Sequence, residues 1–167
     1  MKLDLYKSVL DEDWGYGNSE KILKWDERFL NIAKEVASWS KDPSTKVGAV
    51  CVNHRHIVST GYNGFPASVA DDERLDNRDT KYKMVIHAEV NAILRADKFF
   101  GSLYCWPLPP CSSCASLIIQ KQVFEVIAPA HWPERWDESI QLSLELFREA
   151  NVEVRLYDMS PVNIVIL

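Results

Sequence analysis

Two short motifs constrain this chain more than any other feature. His87-Ala88-Glu89 opens one stretch with a helical pattern, and Pro110-Cys111-Ser112-Ser113-Cys114 opens another, with twenty residues between them. One imidazole and two thiolates are ligands of the kind that hold Zn²⁺ tetrahedrally. If they serve one ion, the fold has to bring two helix starts to a single point. A lone C-x-x-C is less specific, because it is also half of a structural zinc site or a redox pair. The histidine and glutamate at a second helix start narrow those readings.

The pattern around the motifs alternates. Trp25, Phe29, Ile32, Val36 and Trp39 recur at three- and four-residue steps across residues 24–40, which predicts a helix with one apolar stripe for a sheet. Asp42-Pro43-Ser44 ends it, and residues 47–52 follow as a buried strand. Asn53-His54-Arg55-His56 reads as a hairpin turn, with residues 57–62 as the returning antiparallel strand and Asn63-Gly64-Phe65-Pro66 as a loop. Residues 67–83 are polar and read as a long loop. Beyond them, helical patterns at 88–96, 112–121 and 138–150 alternate with strand patterns at 102–106, 124–128 and 152–156. Helices between strands imply crossovers and parallel pairing. The expected fold is α/β: a three-layer α/β/α sandwich on a mixed five-stranded sheet, an antiparallel opening hairpin and then parallel strands. Residues 1–23 read as an irregular arm that packs through Trp14 and Tyr16, and 24–167 as one domain.

Composition excludes several classes. The chain has 167 residues, 47% hydrophobic and 26% charged, which suits one soluble domain with an enclosed pocket. Its net charge of −5 disfavours long nucleic acid as a partner. Neither a signal-type apolar segment near the start nor a run of about 20 apolar residues is visible, so no membrane partner and a cytoplasmic location are expected. Its four cysteines should then stay reduced, which favours metal binding for the close pair. Cys51 and Cys105 lie in strand patterns and read as small buried hydrophobes, and His54 and His56 as parts of a solvated turn.

Three ligands leave the fourth tetrahedral position of a zinc ion for a water, the arrangement of a catalytic site. Cys111 and Cys114 lie within one helical turn, where amide dipoles favour thiolate, and Pro110 suits a helix start. Glu89, two positions from His87, can face a water instead of the metal and move its protons. The other readings are a structural zinc with a fourth ligand elsewhere, a redox pair, and a solvated Glu89.

The order H-x-E … P-C-x-x-C resembles the zinc deaminase signature. With Ser40-Lys41-Asp42-Pro43-Ser44-Thr45-Lys46-Val47-Gly48-Ala49-Val50, then Gly61-Tyr62-Asn63-Gly64-Phe65-Pro66, Thr80-Lys81-Tyr82 and His87-Ala88-Glu89-Val90-Asn91-Ala92-Ile93, residues 24–157 resemble the deoxycytidylate (dCMP) deaminase family. The resemblance implies a cytidine-deaminase-like fold and zinc-dependent hydrolysis of dCMP to dUMP in pyrimidine deoxynucleotide metabolism. It also implies a homo-oligomer, with a hexamer favoured, and regulation by dCTP and dTTP, with Mg²⁺ accompanying a nucleotide effector. Carried over, His87, Cys111 and Cys114 are the ligands of one zinc per chain, Glu89 the proton shuttle and Asn63 a nucleotide contact. Ser44, Thr45 and Lys46 are further expected substrate contacts, Lys81 and Lys83 phosphate candidates, Tyr62 and Gly64 effector contacts, and Trp132, Pro133 and Trp136 a pocket rim or subunit contact.

Two departures from the family matter. Five residues, Cys105-Trp106-Pro107-Leu108-Pro109, separate Leu103-Tyr104 from Pro110-Cys111 where family members commonly have four, which predicts a reshaped pocket wall. Residues 52–86 contain no cysteine, so no second zinc is expected. The rival readings are a related deaminase of another nucleoside, base or tRNA, and a non-catalytic zinc-binding module. The acidic charge opposes the tRNA version, and Glu89 opposes the module.

Overall fold

The computed structural model describes residues 19–159, with side chains from Lys24 onward. Trp14 and Tyr16, the expected packing residues of an N-terminal arm, lie outside the described residues.

The elements run α1 (Ser19–Ser38), β1 (Gly48–Asn53), β2 (His56–Tyr62), α2 (Arg78–Met84), α3 (Ala88–Arg95), β3 (Ser102–Trp106), α4 (Ser112–Gln120), β4 (Glu125–Pro129), α5 (Asp137–Glu149) and β5 (Glu153–Tyr157). The strands form one sheet in the order β2-β1-β3-β4-β5. β1 is antiparallel to both β2 and β3, while β3, β4 and β5 are parallel. The expected mixed sheet of the α/β/α sandwich is therefore present. His54 and Arg55, at φ 45° and 68°, form the two-residue turn that joins β1 and β2.

β1 is buried on both faces, so its hydropathy does not alternate although its side chains do. Val50 and Val52 point to α1, where they meet Phe29, Leu30, Ala33 and Val36. Ala49 and Cys51 point to the opposite layer with Ala88 and Ala92 of α3, Ala115 and Ile118 of α4 and Phe147 of α5. Gly61 lets α3 lie against β2: a Cβ there would stand 2.3 Å from Ala92 N and 2.4 Å from Ala88 O. Below α1, the buried Asp26 accepts bonds from Tyr104 Oη at 2.8 Å, Tyr157 Oη at 2.6 Å and Arg155 Nε at 2.9 Å, which pins the helix to β3 and β5.

The stretch expected as a loop, 67–83, contains instead a short 3₁₀ turn, Glu73–Leu75, and most of α2. Asn77 caps α2 by accepting from Thr80 N at 3.0 Å. The buried residue of α2 is Lys81, so hydropathy gives this helix no apolar stripe.

Register sets the position of the site. Gly48 pairs with Tyr62 on one side and Trp106 on the other, so β1 begins where β2 and β3 end. The connections at 39–47, 63–87 and 107–111 leave the sheet at this end, and β4 ends its parallel run toward the same side.

Candidate active site

His87 and Cys111 occupy equivalent places: each is the N-cap of a helix, α3 and α4 respectively, with extended backbone and no side-chain capping bond. Cap side chains are free to turn away from the helix axis, and here both turn toward each other. Cys111 Sγ lies 3.4 Å and Cys114 Sγ 3.3 Å from His87 Nδ1. The ligand atoms of the three residues all lie within 4.8 Å of one another, and among the described residues this is the group of three that could hold a metal. Pro110 stands one position before the cap, so it leads into α4 without belonging to it.

The three groups are electronically coupled. The hydrogen bond from Cys114 pulls the Cys111 thiol down to about 4, with His87 reinforcing it. The bond to Cys111 pushes the His87 imidazole up to about 9. Cys114 is pushed well above the usual thiol range by that same bond and by burial. Cys111 is thus the thiolate of the group while His87 and Cys114 each keep a proton, and both protons leave when a cation takes the three lone pairs. A soft, borderline divalent ion with thiolate and imidazole preference fits this donor set, and Zn²⁺ is such an ion.

Glu89, on the first turn of α3, is 3% exposed, and burial raises its affinity for a proton. It borders the same cavity of about 190 Å³ as His87 and Cys111. Ser44, Thr45 and Asn63 border that cavity too, as do Arg78, Lys81, Tyr82, Leu108, Arg135 and Trp136. Leu108 belongs to the longer segment before Pro110, which thereby forms part of the wall.

Another part of the lining is a polar network. Asp42 Oδ1 accepts from Ser44 N at 2.7 Å, Thr45 N at 3.2 Å and Lys81 Nζ at 3.0 Å, and Lys81 Nζ also donates to Ser44 Oγ at 3.0 Å. Asn63 ties the two loops together. Its Oδ1 accepts from Val47 N at 2.8 Å, and its Nδ2 donates to Thr45 O at 2.9 Å and Asp42 Oδ2 at 3.4 Å. Of the expected substrate contacts, Lys46 is the one that the fold turns away: its Nζ donates to Ser38 O at the end of α1, at 3.4 Å, and it does not border the cavity. Lys83 does not border it either.

Tyr62 and Gly64, the expected effector contacts, lie in a second cleft of about 80 Å³ with Trp39, Lys41 and Phe65. Asp42 and Asn63 border both cavities and form the partition between them. Trp132 and Trp136 part company: Trp136 borders the main cavity, where its indole Nε1 is buried with no partner among the described residues, while Trp132 Nε1 donates to Asp137 Oδ1 at 3.0 Å.

The sequence reading gave no site role to Arg78 or Arg135, and quoted Tyr82 only as part of Thr80-Lys81-Tyr82. The signal available for them was modest: Arg78 and Tyr82 lie near the expected Lys81, and Arg135 sits beside Trp136 in a loop that also holds His131, Pro133 and Glu134.

Comparisons with known proteins agree with this geometry. Residues 23–130 match the family described as cytidine and deoxycytidylate deaminase zinc-binding region. A protein of Aliivibrio fischeri named as an uncharacterized deaminase in the luxG 3′ region is 45% identical over 137 residues, 80% of this chain and 93% of that protein. The deoxycytidylate deaminase of Mus musculus is 41% identical over 148 residues, covering 83% of this chain and 82% of its own length. Among solved structures, the dCMP deaminase of cyanophage S-TIM5 in complex with dCMP and dUMP superposes with a TM-score of 0.64 at 25% identity, over 80% of this chain and 96% of that one.

Proposed function

The chain belongs to the cytidine and deoxycytidylate deaminase family, and from that premise we propose that it hydrolyses dCMP to dUMP and ammonia. The observation that carries the reading is Glu89: a buried carboxylate bordering the cavity beside a His/Cys/Cys cluster without being one of its members. A purely structural metal site has no use for such a group.

His87, Cys111 and Cys114 would hold one Zn²⁺, which when bound lowers the pKa of water enough to supply a nucleophile at neutral pH. The chain's own residues do the rest. Glu89 takes a proton as C4 of the cytosine ring is attacked and delivers it to N3; it then takes the remaining proton from the C4 hydroxyl as the bond to the amino group breaks, and passes it to the departing nitrogen, which leaves as ammonia. Val85 and Leu108 supply apolar surface against which the base can lie. Asn63 holds the loop that presents Ser44 and Thr45 to the sugar and phosphate end of the ligand. Residues 24–167 act in this scheme as one domain.

The same reading takes Tyr62 and Gly64 as part of an effector cleft for dCTP, accompanied by Mg²⁺, and for dTTP. It takes the assembly as a homo-oligomer, a hexamer by family resemblance, working in the cytoplasm. What supports the cleft is its position across the Asp42–Asn63 partition from the cavity. In keeping with the location, no described helix is long and apolar enough to cross a membrane.

The test is ammonia release from dCMP, CMP, cytidine, deoxycytidine, adenosine and guanine, with dCTP and Mg²⁺ present and absent. Preferred turnover of dCMP is expected; preferred turnover of adenosine or guanine, or none of any substrate by the zinc-loaded protein, would overturn the reading.

A further inference from the structure

The cavity is lined by two sets of residues of different chemistry. One is His87, Cys111 and Glu89; the other comprises the cations Arg78, Lys81 and Arg135 and the carboxylates Asp42 and Asp76. Lys81 is ion-paired with Asp42 at 3.0 Å inside the protein, so its charge is already balanced. The remaining charged groups of this second set are the guanidiniums of Arg78 and Arg135 and the single carboxylate of Asp76. The set is therefore net positive on a chain whose total charge is −5.

The two arginines are held in related ways. Tyr82 and Trp136 meet edge to face, with ring centroids 6.5 Å apart. The Arg78 guanidinium lies 5.4 Å from the Tyr82 ring and that of Arg135 lies 5.6 Å from the Trp136 ring, so the pair of cations brackets the pair of rings. Stacking on an aromatic face positions a guanidinium while leaving its in-plane N–H donors available. By contrast, Arg155 and Arg74 are bound to the carboxylates of Asp26 and Asp72.

The hydroxyls next to them are similarly prepared. Arg135 Nη2 donates to Thr45 Oγ1 at 3.1 Å, and Lys81 Nζ donates to Ser44 Oγ at 3.0 Å. A hydroxyl that accepts a bond from a cation keeps its own proton to donate, and that proton is the more acidic for it. Two guanidiniums and two polarised hydroxyls lining one cavity, joined through the Tyr82–Trp136 ring pair and the Arg135–Thr45 bond, suit a dianionic phosphate monoester.

We propose that Arg78 and Arg135 are the residues that make this enzyme select a nucleoside 5′-monophosphate over the bare nucleoside, with Ser44 and Thr45 as their hydroxyl partners. The inference rests on the reading of the site as a deoxycytidylate deaminase and adds the source of its phosphate selectivity. Neither arginine touches the reacting carbon. Their contribution is to hold the base in register, so it appears in the substrate preference.

The experiment compares kcat/KM for dCMP and deoxycytidine in the wild type, Arg78→Gln, Arg135→Gln, Arg135→Lys and the double glutamine variant. Losing one charge-assisted contact set should lower the dCMP-to-deoxycytidine ratio about 10- to 100-fold, chiefly through KM for dCMP, and the double variant should lower it further. Arg135→Lys should recover part of the ratio, because it keeps the charge and loses the fork. A merely structural lesion would depress both substrates together and leave the ratio intact. Should a variant fail to fold, phenylglyoxal modification of the wild-type protein followed by peptide mapping gives an independent readout: dCMP should protect Arg78 and Arg135, and deoxycytidine should not. A wild type that prefers dCMP, with variants of unchanged ratio or with both arginines equally modified in the presence of dCMP, overturns the assignment and leaves the deaminase reading standing. A wild type with no preference for dCMP overturns both.

Discussion

The ion pair between Asp42 and Lys81 supports the pocket wall, and its removal should be costly in an asymmetric way. Both side chains are buried, at 6% and 7% exposure, with Nζ 3.0 Å from Oδ1. Asp42→Asn keeps an oxygen for the backbone N–H groups of Ser44 and Thr45 but leaves the Lys81 ammonium buried against a neutral amide. Breaking a buried pair in this way costs about 3–5 kcal/mol. Lys81→Met leaves a carboxylate that still accepts from Ser44 N, Thr45 N and Asn63 Nδ2, so its cost should fall near the lower end, ~3 kcal/mol. The double variant removes both charges together, and neutral replacement of a buried pair costs much less than breaking it, ~1–2 kcal/mol here. The double-mutant cycle should therefore show a coupling of about 3 kcal/mol or more.

For a chain of this length each kcal/mol moves Tm by roughly 2–4 °C, so Asp42→Asn should melt about 6–20 °C below the wild type. The assay is thermal and urea unfolding of the four zinc-loaded proteins at pH 7, alongside kcat/KM for dCMP. Activity should follow the wall: both single variants lower it, because each breaks the linkage from Asp42 through Lys81 Nζ to Ser44 Oγ. Additive losses in the cycle, or an Asp42→Asn protein that melts within about 2 °C of the wild type, would refute the reasoning.

Elemental analysis of the purified protein should find one zinc per chain; two tightly held ions, or full activity with none, would contradict the three-ligand site. Cys111→Ser or Cys114→Ser should lose the metal and with it part of the folding free energy, read as a lower Tm that added zinc fails to restore. Glu89→Gln should keep zinc and melt no lower than the wild type, since it removes a charge from a position that is 3% exposed, while kcat falls ~10²-fold to 10⁴-fold. Near-normal turnover in that variant would show that another group moves the protons. Gly61→Ala should lower both Tm and zinc occupancy, because a Cβ 2.3 Å from Ala92 N forces α3, and His87 at its start, off the sheet; wild-type melting and zinc content would show that the helix tolerates the shift.

Much of the fold could be read from the sequence because its layers are apolar in the expected periods. The strand expected at 102–106 is observed as Ser102–Trp106, and the helices expected at 88–96, 112–121 and 138–150 differ from those observed by a residue or so at an end. The metal cluster was readable for a different reason: its residue types follow a recognisable motif, in which spacing puts Cys111 and Cys114 within one turn, while the fold supplies the approach of His87 from another helix. What hydropathy could not show is α2, whose buried residue is a lysine held by a carboxylate 39 positions away. Lys46 illustrates the converse error. It follows two residues that face the cavity, but Val47 N is bound to Asn63 at the start of β1, and the lysine leaves on the α1 side. Arg135 belongs to no motif and reaches Thr45 across 90 positions of chain, a contact that only the sheet topology creates.

That topology also accounts for the chemical division of the cavity. The catalytic part of the lining is made from two helix caps, rigid because α3 and α4 are packed on the sheet through Ala88, Ala92, Ala115 and Ile118. With a divalent ion bound, the thiolates of Cys111 and Cys114 would balance its charge and leave Glu89 without a net counter-charge. Burial then raises its proton affinity, which suits a group that must take a proton and give it back within one turnover. The cationic part of the lining comes from the loops 39–47 and 130–136 and from α2, whose polar groups hold one another through bonds such as Lys81 to Asp42 and Arg135 to Thr45. Segments held by a few directed bonds can exchange side chains without disturbing the caps. Selectivity for the non-reacting part of a substrate can thus vary in one part of the lining while the hydrolytic chemistry stays fixed in the other.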